Sequence, residues 1–206
     1  MTNVRFTKLV IVVNALLPLA LLLWDIYHKN VGANPQEYAI RTTGMLTLVF
    51  LTLTIAITPI RKTFGLNAVV KFRRMIGLFA FFYAFLHLTT YIWFDRFFNL
   101  RSTVEDIGRR PFILIGMSAF ILLVPLAITS TNEMVKFLGG KAWSRLHRLV
   151  YVAGALGVLH FWMLVKSDTR LPLTFAFVVA VLLAHRLLIK YAPASTATST
   201  SLFPKD

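Results

Sequence analysis

Long apolar runs, separated by short polar segments, follow one another along the whole chain. A window of about 19 residues finds six runs that are long enough to cross a bilayer as helices. In a bilayer such a run must satisfy its backbone hydrogen bonds internally, which favours the α-helix. The pattern therefore predicts an all-α fold, a polytopic six-helix transmembrane bundle over residues 8–24, 42–60, 75–94, 111–130, 146–165 and 171–189.

Prolines and a polar tail refine the predicted boundaries. Because proline ends or kinks a helix, Pro59 is predicted to close the second span. Pro18 and Pro125 lie inside spans, where a transmembrane helix tolerates a kink. The last residues are small and polar, a composition that is typical of disorder. We therefore expect one transmembrane domain over 1–191 and a disordered cytoplasmic tail over 192–206.

Composition agrees with a membrane protein and removes other classes. Of the 206 residues, 57% are hydrophobic and only 15% are charged, far from the balance of a soluble domain. The net charge of +14 is spread over the ends of the apolar runs and forms no stripe, so no nucleic-acid partner is expected. The chain has no cysteine, which excludes thiolate metal sites and haem attached through C-x-x-C-H. A bound metal would need histidine or oxygen ligands.

The basic residues also predict the orientation, because short cytoplasmic loops retain positive charge. The loops on the other side carry six of the eight acidic residues. We expect an inner-membrane protein with both termini in the cytoplasm. Fourteen of the 22 basic residues lie on the predicted cytoplasmic side: Arg5, Lys8, Arg61, Lys62, Lys71, Arg73, Arg74, Lys136, Lys141, Arg145, Arg148, Arg186, Lys190 and Lys205.

Three histidines lie within these spans, and their distances from the cytoplasmic edge can be compared. At about 1.5 Å of rise per residue, His87 and His160 each lie about 18–20 Å from the cytoplasmic edge, on different helices. His147 lies about 20 Å from His160, near that edge. Thirteen residues turn an ideal helix by about 220°, so the two histidines of the fifth span face different ways unless that helix bends.

An imidazole inside a membrane is costly unless it faces the bundle interior and has a partner. Two imidazoles at one depth in aromatic surroundings suit axial ligation of a b-type haem between the third and fifth helices. For either histidine alone, a structural hydrogen bond to a neighbouring helix is an equal alternative. Gly154 and Gly157 would leave room for a flat macrocycle, or they serve close helix packing.

Basic side chains accompany His147 at the cytoplasmic edge. Arg73, Arg74, Arg145 and Arg148 are candidates for binding the propionates or other anionic groups of a cofactor. The alternative is that each of them serves only positive-inside topology and lipid headgroup contact. One haem at the level of His160 and a second at the level of His147 would divide the roughly 30 Å of hydrocarbon into shorter electron-transfer steps.

Several segments together resemble the MsrQ (YedZ) family, the haem-binding membrane subunits of MsrPQ methionine sulfoxide reductase systems, within the ferric reductase-like transmembrane group. The likeness covers nearly the whole chain and is more specific than any one histidine. The segments are VGANP at 31–35, TGMLTL at 43–48, ITPIR at 57–61, RRMIGL at 73–78, LHLTTY at 86–91, RRPFILIG at 109–116, ITSTNEM at 128–134, KFLG at 136–139 and WSRLHRLVYVAGALGVLHFW at 143–162.

The resemblance implies that His87, His147 and His160 bind haem b, with two haems expected and FMN as a further cofactor. It also implies electron transfer from the quinone pool or a cytosolic flavin reductase to MsrP, a periplasmic molybdopterin enzyme that repairs oxidised methionine in proteins. Larger members of the group use four histidines. Here the fourth position falls near Arg73, and His185 is a second candidate by depth.

Features that are missing from the sequence narrow the chemistry further. No G-x-G-x-x-G or Walker A motif is present, so nicotinamide oxidation within this chain is not expected. Substrate reduction is therefore expected on a partner, which docks near 95–110 or 30–41. Two other classes stay open: a small transporter or channel with a histidine proton relay, and a passive membrane anchor for a periplasmic enzyme.

Overall fold

The computed structural model describes residues 4–191, and every regular element among them is helical. Six segments within that range are long and apolar enough to cross a membrane, which confirms the predicted all-α, six-span architecture. The tail predicted over 192–206 lies outside the described residues. The helices are α1 (Val4–Tyr27), α2 (Pro35–Phe64), α3 (Arg73–Phe94), α4 (Leu100–Arg109), α5 (Pro111–Ile128), α6 (Asn132–Leu138), α7 (Gly140–Leu146), α8 (Leu149–Leu164) and α9 (Arg170–Tyr191), with a 3-10 helix at Asn67–Phe72 before α3.

Four helices build the core. Helix α2 packs along α3 and helix α5 along α8, while α9 lies against α2 and α8. Small residues at the centre let the backbones approach closely, as is usual where lipid supplies no hydrophobic force between helices. Helix α1 stays peripheral and exposes most of its apolar side chains. The buried centre consists of Leu51, Ile55, Ala80, Ala84, Leu123, Leu126, Val150 and Ala153.

The second span is longer than the sequence predicted. Pro59 was expected to end it, but this residue is buried within α2, which continues to Phe64. A transmembrane helix tolerates proline because neighbouring groups can satisfy the freed backbone carbonyl. The helix ends instead at Gly65, whose φ of 68° gives the left-handed cap that glycine adopts without a Cβ penalty. The prediction that Pro18 and Pro125 lie inside helices is confirmed.

The fifth span is not one continuous helix. Helix α7 ends at Leu146, with His147 as its cap at φ −67° and ψ −3°, and α8 begins at Leu149. The junction is a tighter turn within right-handed helical backbone: the N–H of Arg148 bonds to the carbonyl of Arg145, and the N–H of Tyr151 bonds to the carbonyl of Arg148. The angle of about 220° between His147 and His160 assumes an ideal helix, so it does not fix their relative directions here.

Candidate functional site

His87 and His160 meet in the interior of the bundle, from α3 and α8. Their ring centroids lie 6.2 Å apart and their planes cross at 77°. The sequence predicted the two residues at one depth on different helices, and the structure brings them together. We call this pair, with its backbone partners, the paired-histidine site.

Each of the two rings is anchored through the same nitrogen. Nδ1 of His87 lies 2.9 Å from the carbonyl oxygen of Ile40, and Nδ1 of His160 lies 2.7 Å from that of Phe112. A carbonyl can only accept, so Nδ1 of each ring carries the proton and donates. A neutral imidazole that donates from Nδ1 keeps its lone pair on Nε2. Both side chains therefore offer Nε2 as a metal ligand.

The spacing of the rings fits a metal ion held between them. Two metal–nitrogen bonds of about 2 Å, with roughly 1 Å more from each ring edge to its centre, separate opposed imidazole centroids by roughly 6 Å. Nowhere in residues 4–191 do three or more His, Cys, Asp or Glu side chains gather as a metal site. Two protein donors suit a metal whose remaining ligands come from a macrocycle, as in haem.

A buried ionic cluster closes the bundle near this site. Asp106 on α4 keeps a side chain that is only 7% exposed. Its carboxylate accepts from Arg96 at 2.6 Å, from Arg110 at 2.9 Å and from the hydroxyl of Tyr91 at 2.6 Å. Tyr91 lies one turn beyond His87 on the same face of α3. The cluster therefore fixes α4 over the end of the helices that carry the paired histidines.

A second region lies toward the end of the bundle where α3 begins, which we call the basic end. A small, partly open cavity lies there among α2, α3, α5 and the α7–α8 junction. Its wall is formed by Leu51, Thr54, Arg73, Arg74, Gly77, Phe81, Leu123, Leu126, Ala127, Ser130, Trp143, His147 and Val150.

His147 is held in this wall differently from the paired histidines. Its Nε2 lies 3.1 Å from the hydroxyl oxygen of Thr129, which itself donates to the carbonyl of Pro125 at 2.6 Å. The indole of Trp143 stacks on the imidazole with centroids 3.9 Å apart and donates to the carbonyl of Thr129. His147, Arg73 and Arg74 together form what we call the basic-end site.

The other predicted basic residues lie apart from this cavity. Arg145 and Arg148 are exposed and are not among the residues of its wall. His185, the alternative ligand by depth, lies on α9 with Nε2 2.9 Å from the hydroxyl of Thr63. Arg74 donates to Asn132 at 2.7 Å, which ties the start of α3 to α6.

Two glycines in contact with the paired histidines were missed by sequence reasoning. Gly44 on α2 faces the ring of His87, and Gly116 on α5 faces the ring of His160. The glycines that the sequence singled out, Gly154 and Gly157, instead face Ile55 and Leu48 of α2. An isolated glycine inside an apolar helix was the available signal, because glycine costs helix stability relative to alanine.

Comparison with known proteins identifies the family. The profile of the ferric reductase like transmembrane component matches residues 41–158. The haem-binding subunit MsrQ of protein-methionine-sulfoxide reductase from Herminiimonas arsenicoxydans is 52% identical over 182 residues, 87% of this chain and 84% of that one. The MsrQ of Rhodospirillum rubrum is 47% identical over 183 residues, 89% and 88% of the two chains. The chain belongs to the MsrQ family.

A further MsrQ, from Polaromonas naphthalenivorans, is 45% identical over 188 residues, 90% of this chain and 86% of the relative. No solved structure matches the chain. The family match confirms the resemblance that the sequence segments indicated. The region matched by the ferric reductase profile contains His87 and His147 and ends two residues before His160. The alignment with the Herminiimonas MsrQ covers 87% of the chain and is long enough to include His160.

Proposed function

We propose that this chain is the haem-binding, electron-carrying membrane subunit of a protein-methionine-sulfoxide reductase. The observation that carries the proposal is the pair of imidazoles whose centroids lie 6.2 Å apart, each fixed by an Nδ1–H bond that leaves Nε2 free. Its relatives are MsrQ subunits that bind haem. The ligand set, the haem count and the electron route described below are part of the proposal.

At the paired-histidine site, His87 and His160 would hold one haem b through Nε2. A bound haem supplies one-electron redox chemistry without consuming a protein side chain. The chain's own residues do the rest: the carbonyls of Ile40 and Phe112 set the tautomers, and the surrounding apolar helices exclude water. Hydrogen bonding at the outer nitrogen of a ligating imidazole also raises its donor strength.

At the basic-end site, His147 would hold a second haem b, with Arg73 and Arg74 beside its anionic groups. Guanidinium groups bind carboxylates and phosphates through paired hydrogen bonds. Arg73 and Arg74 line the cavity, which supports this role. Arg145 and Arg148 lie farther out, where we propose that they attract an FMN phosphate or a lipid headgroup.

The two sites would carry electrons across the inner membrane. Six spans return the chain to the side where it began, and the basic end faces the cytoplasm by the positive-inside rule. The donor would be the quinone pool or a reduced flavin, and the acceptor a periplasmic molybdopterin enzyme, MsrP, that reduces methionine sulfoxide. We propose that residues 1–191 form the ferric reductase-like transmembrane domain for this task.

An absorption spectrum of the full chain, purified in detergent from cells supplied with iron and haem precursor, tests the proposal. We expect an intense Soret band that sharpens on reduction, as bis-imidazole haem gives. The control is the His87→Ala/His160→Ala double variant purified in parallel. A colourless wild-type protein would overturn haem binding and favour a transporter, a channel or a passive anchor instead.

The electron route is tested by mixing the reduced, haem-loaded chain with its molybdenum-containing partner and a methionine sulfoxide peptide. We expect the reduced haem bands to decay only when partner and sulfoxide are both present. Re-reduction is then compared with a quinol analogue and with a reduced flavin, each added alone. If partner and sulfoxide leave the reduced bands unchanged, the proposed acceptor is wrong even though haem is bound.

A further inference from the structure

Each ring of the paired-histidine site lies against a glycine of a neighbouring helix: His87 against Gly44 of α2, and His160 against Gly116 of α5. A Cβ built on Gly44 would lie 3.0 Å from Cε1 and 3.1 Å from Nδ1 of His87. A Cβ on Gly116 would lie 2.7 Å from Nδ1 and 2.9 Å from Cε1 of His160. These gaps are shorter than van der Waals contact between carbon atoms, about 3.5–4.0 Å. No side chain larger than hydrogen fits at either position unless the imidazole moves.

The glycines stand in the same relation to the two acceptor carbonyls. His87 donates to Ile40, four residues before Gly44, and His160 donates to Phe112, four residues before Gly116. In an α-helix the carbonyl of residue i already accepts from the N–H of residue i+4. Each carbonyl is therefore shared between the amide of a glycine and an imidazole from another helix.

Helix geometry explains why glycine is needed at that offset. The Cα–Cβ bond of a helical residue tilts toward the N-terminus, so the Cβ of residue i+4 leans over the preceding turn. An imidazole that approaches the carbonyl of residue i must pass through this space. With hydrogen in place of Cβ, the ring reaches the oxygen at hydrogen-bonding distance.

We propose that Gly44 and Gly116 are positioning residues, which open the carbonyls of Ile40 and Phe112 to the two imidazoles and so fix which nitrogen faces the metal. The arrangement occurs twice, once between α2 and α3 and once between α5 and α8, which are the two most extensively packed helix pairs. The inference rests on the proposed function for the identity of the metal group. The ring geometry itself does not depend on haem.

The test is Gly116→Ala and Gly44→Ala in the full, haem-loaded chain. Gly157→Ala is the control, because it lies on α8 one turn before His160 and its Cβ would meet Leu48 at an ordinary 3.5 Å. We expect Gly116→Ala to weaken haem binding at the paired-histidine site about 10- to 100-fold, the usual cost of losing an outer-shell partner. Gly44→Ala has a smaller effect, since its closest contact is longer.

Two spectroscopic readouts separate positioning from general packing. In the ferric EPR spectrum, we expect Gly116→Ala to convert part of the low-spin signal of the paired-histidine site to high spin. In a redox titration, we expect its midpoint potential to rise, because an imidazole that loses its Nδ1–H bond is a weaker donor to ferric iron. Gly157→Ala should match the wild type in both. Unchanged signals in Gly116→Ala would overturn the proposal.

A readout without haem keeps this inference distinct from the proposed function. Nitrogen-15 NMR of ring-labelled histidine in the apoprotein should show protonated Nδ1 and bare Nε2 at His87 and His160. We expect Gly116→Ala to lose that pattern at His160 alone. If the wild-type apoprotein already lacks it, the positioning role is wrong whether or not haem binds. If Gly116→Ala does not fold, the same comparison is made at His87 with Gly44→Ala, and an unchanged tautomer there overturns the proposal.

Discussion

The paired-histidine site and the basic-end site are built on the same helices but hold their histidines in different ways. His87 and His160 each donate a hydrogen bond from Nδ1–H to a backbone carbonyl within a helix, and such an acceptor cannot rotate. His147 instead contacts the hydroxyl oxygen of Thr129 through Nε2, and the proton of that hydroxyl is donated to the carbonyl of Pro125. The first site is fixed by the backbone itself, whereas the second is held by side chains at a break between two helices.

Charge separates the two regions as clearly as hydrogen bonding does. Around the basic-end cavity, Arg73 and Arg74 share the wall with a single histidine. On the side of the paired-histidine site where α3 meets α4, the carboxylate of Asp106 forms ion pairs with Arg96 and Arg110. Under the proposed function this difference divides the roles: neutral donors at the first site would hold the metal, and the second site would receive anionic groups.

The largest effect is expected from removing either paired histidine. His87→Ala and His160→Ala should each deplete the same haem, and the double variant should lose no more than either single one. The reason is that one metal shares both ligands, so that losing one opens the site. Haem per protein, measured as the pyridine haemochrome, checks this. His28→Ala is the control, since His28 is exposed. Additive losses would show that the two histidines serve different haems and would break the comparison.

Asp106→Asn is expected to destabilise the fold by about 3 kcal/mol, because it leaves two arginines beside an uncharged group in a buried setting. Arg96 is affected most, since its side chain is only 19% exposed. The matched control is Glu105→Gln on the same helix, whose partner Arg101 is 90% exposed. An exposed pair of that kind contributes less than about 1 kcal/mol. Thermal unfolding in detergent measures both variants, and equal stabilities would show that the cluster does not fasten α4.

Arg73→Gln should weaken haem binding at the basic-end site about tenfold and leave the paired-histidine site unchanged. Losing one charge-assisted hydrogen bond costs about 1.5 kcal/mol, which corresponds to that factor. Arg148→Gln is the control, because Arg148 is exposed and lies outside the cavity wall. Haem titration of each variant, with the His87→Ala background used to silence the paired site, gives the affinities. Equal losses in both variants would mean that general charge, and not the cavity wall, attracts the ligand.

The six spans and the shared level of His87 and His160 could be predicted from the sequence, because hydropathy and helical rise are local properties of the chain. The resemblance to MsrQ could also be recognised from the sequence, in the segments that flank the spans. Pro59 shows a limit of local reasoning: a proline predicts a helix end, yet α2 continues past it because packed neighbours compensate for the lost bond.

Side-chain partners across helices were beyond the sequence. Nothing in the spacing of Gly44 and Ile40 indicates that His87 would lie against them, since that contact depends on how α2 and α3 pack. The break at His147 was also hidden, because WSRLHRLV reads as a continuous helix.

The smallest effect is expected where α3 contacts α1, outside the residues of both sites. Tyr83 on α3 is fully buried and donates to the carbonyl of Ala15 on α1 at 2.5 Å. Tyr83→Phe should cost about 1 kcal/mol, because the carbonyl keeps its own helical partner and only the net value of one hydrogen bond is lost. Thermal unfolding measures that cost, with Tyr38→Phe on the exposed side of α2 as the control. Both haem spectra should stay unchanged, since α1 contributes no residue to either site. A spectral shift in Tyr83→Phe would show that α1 couples the two sites, and the contrast between them would then be one of degree.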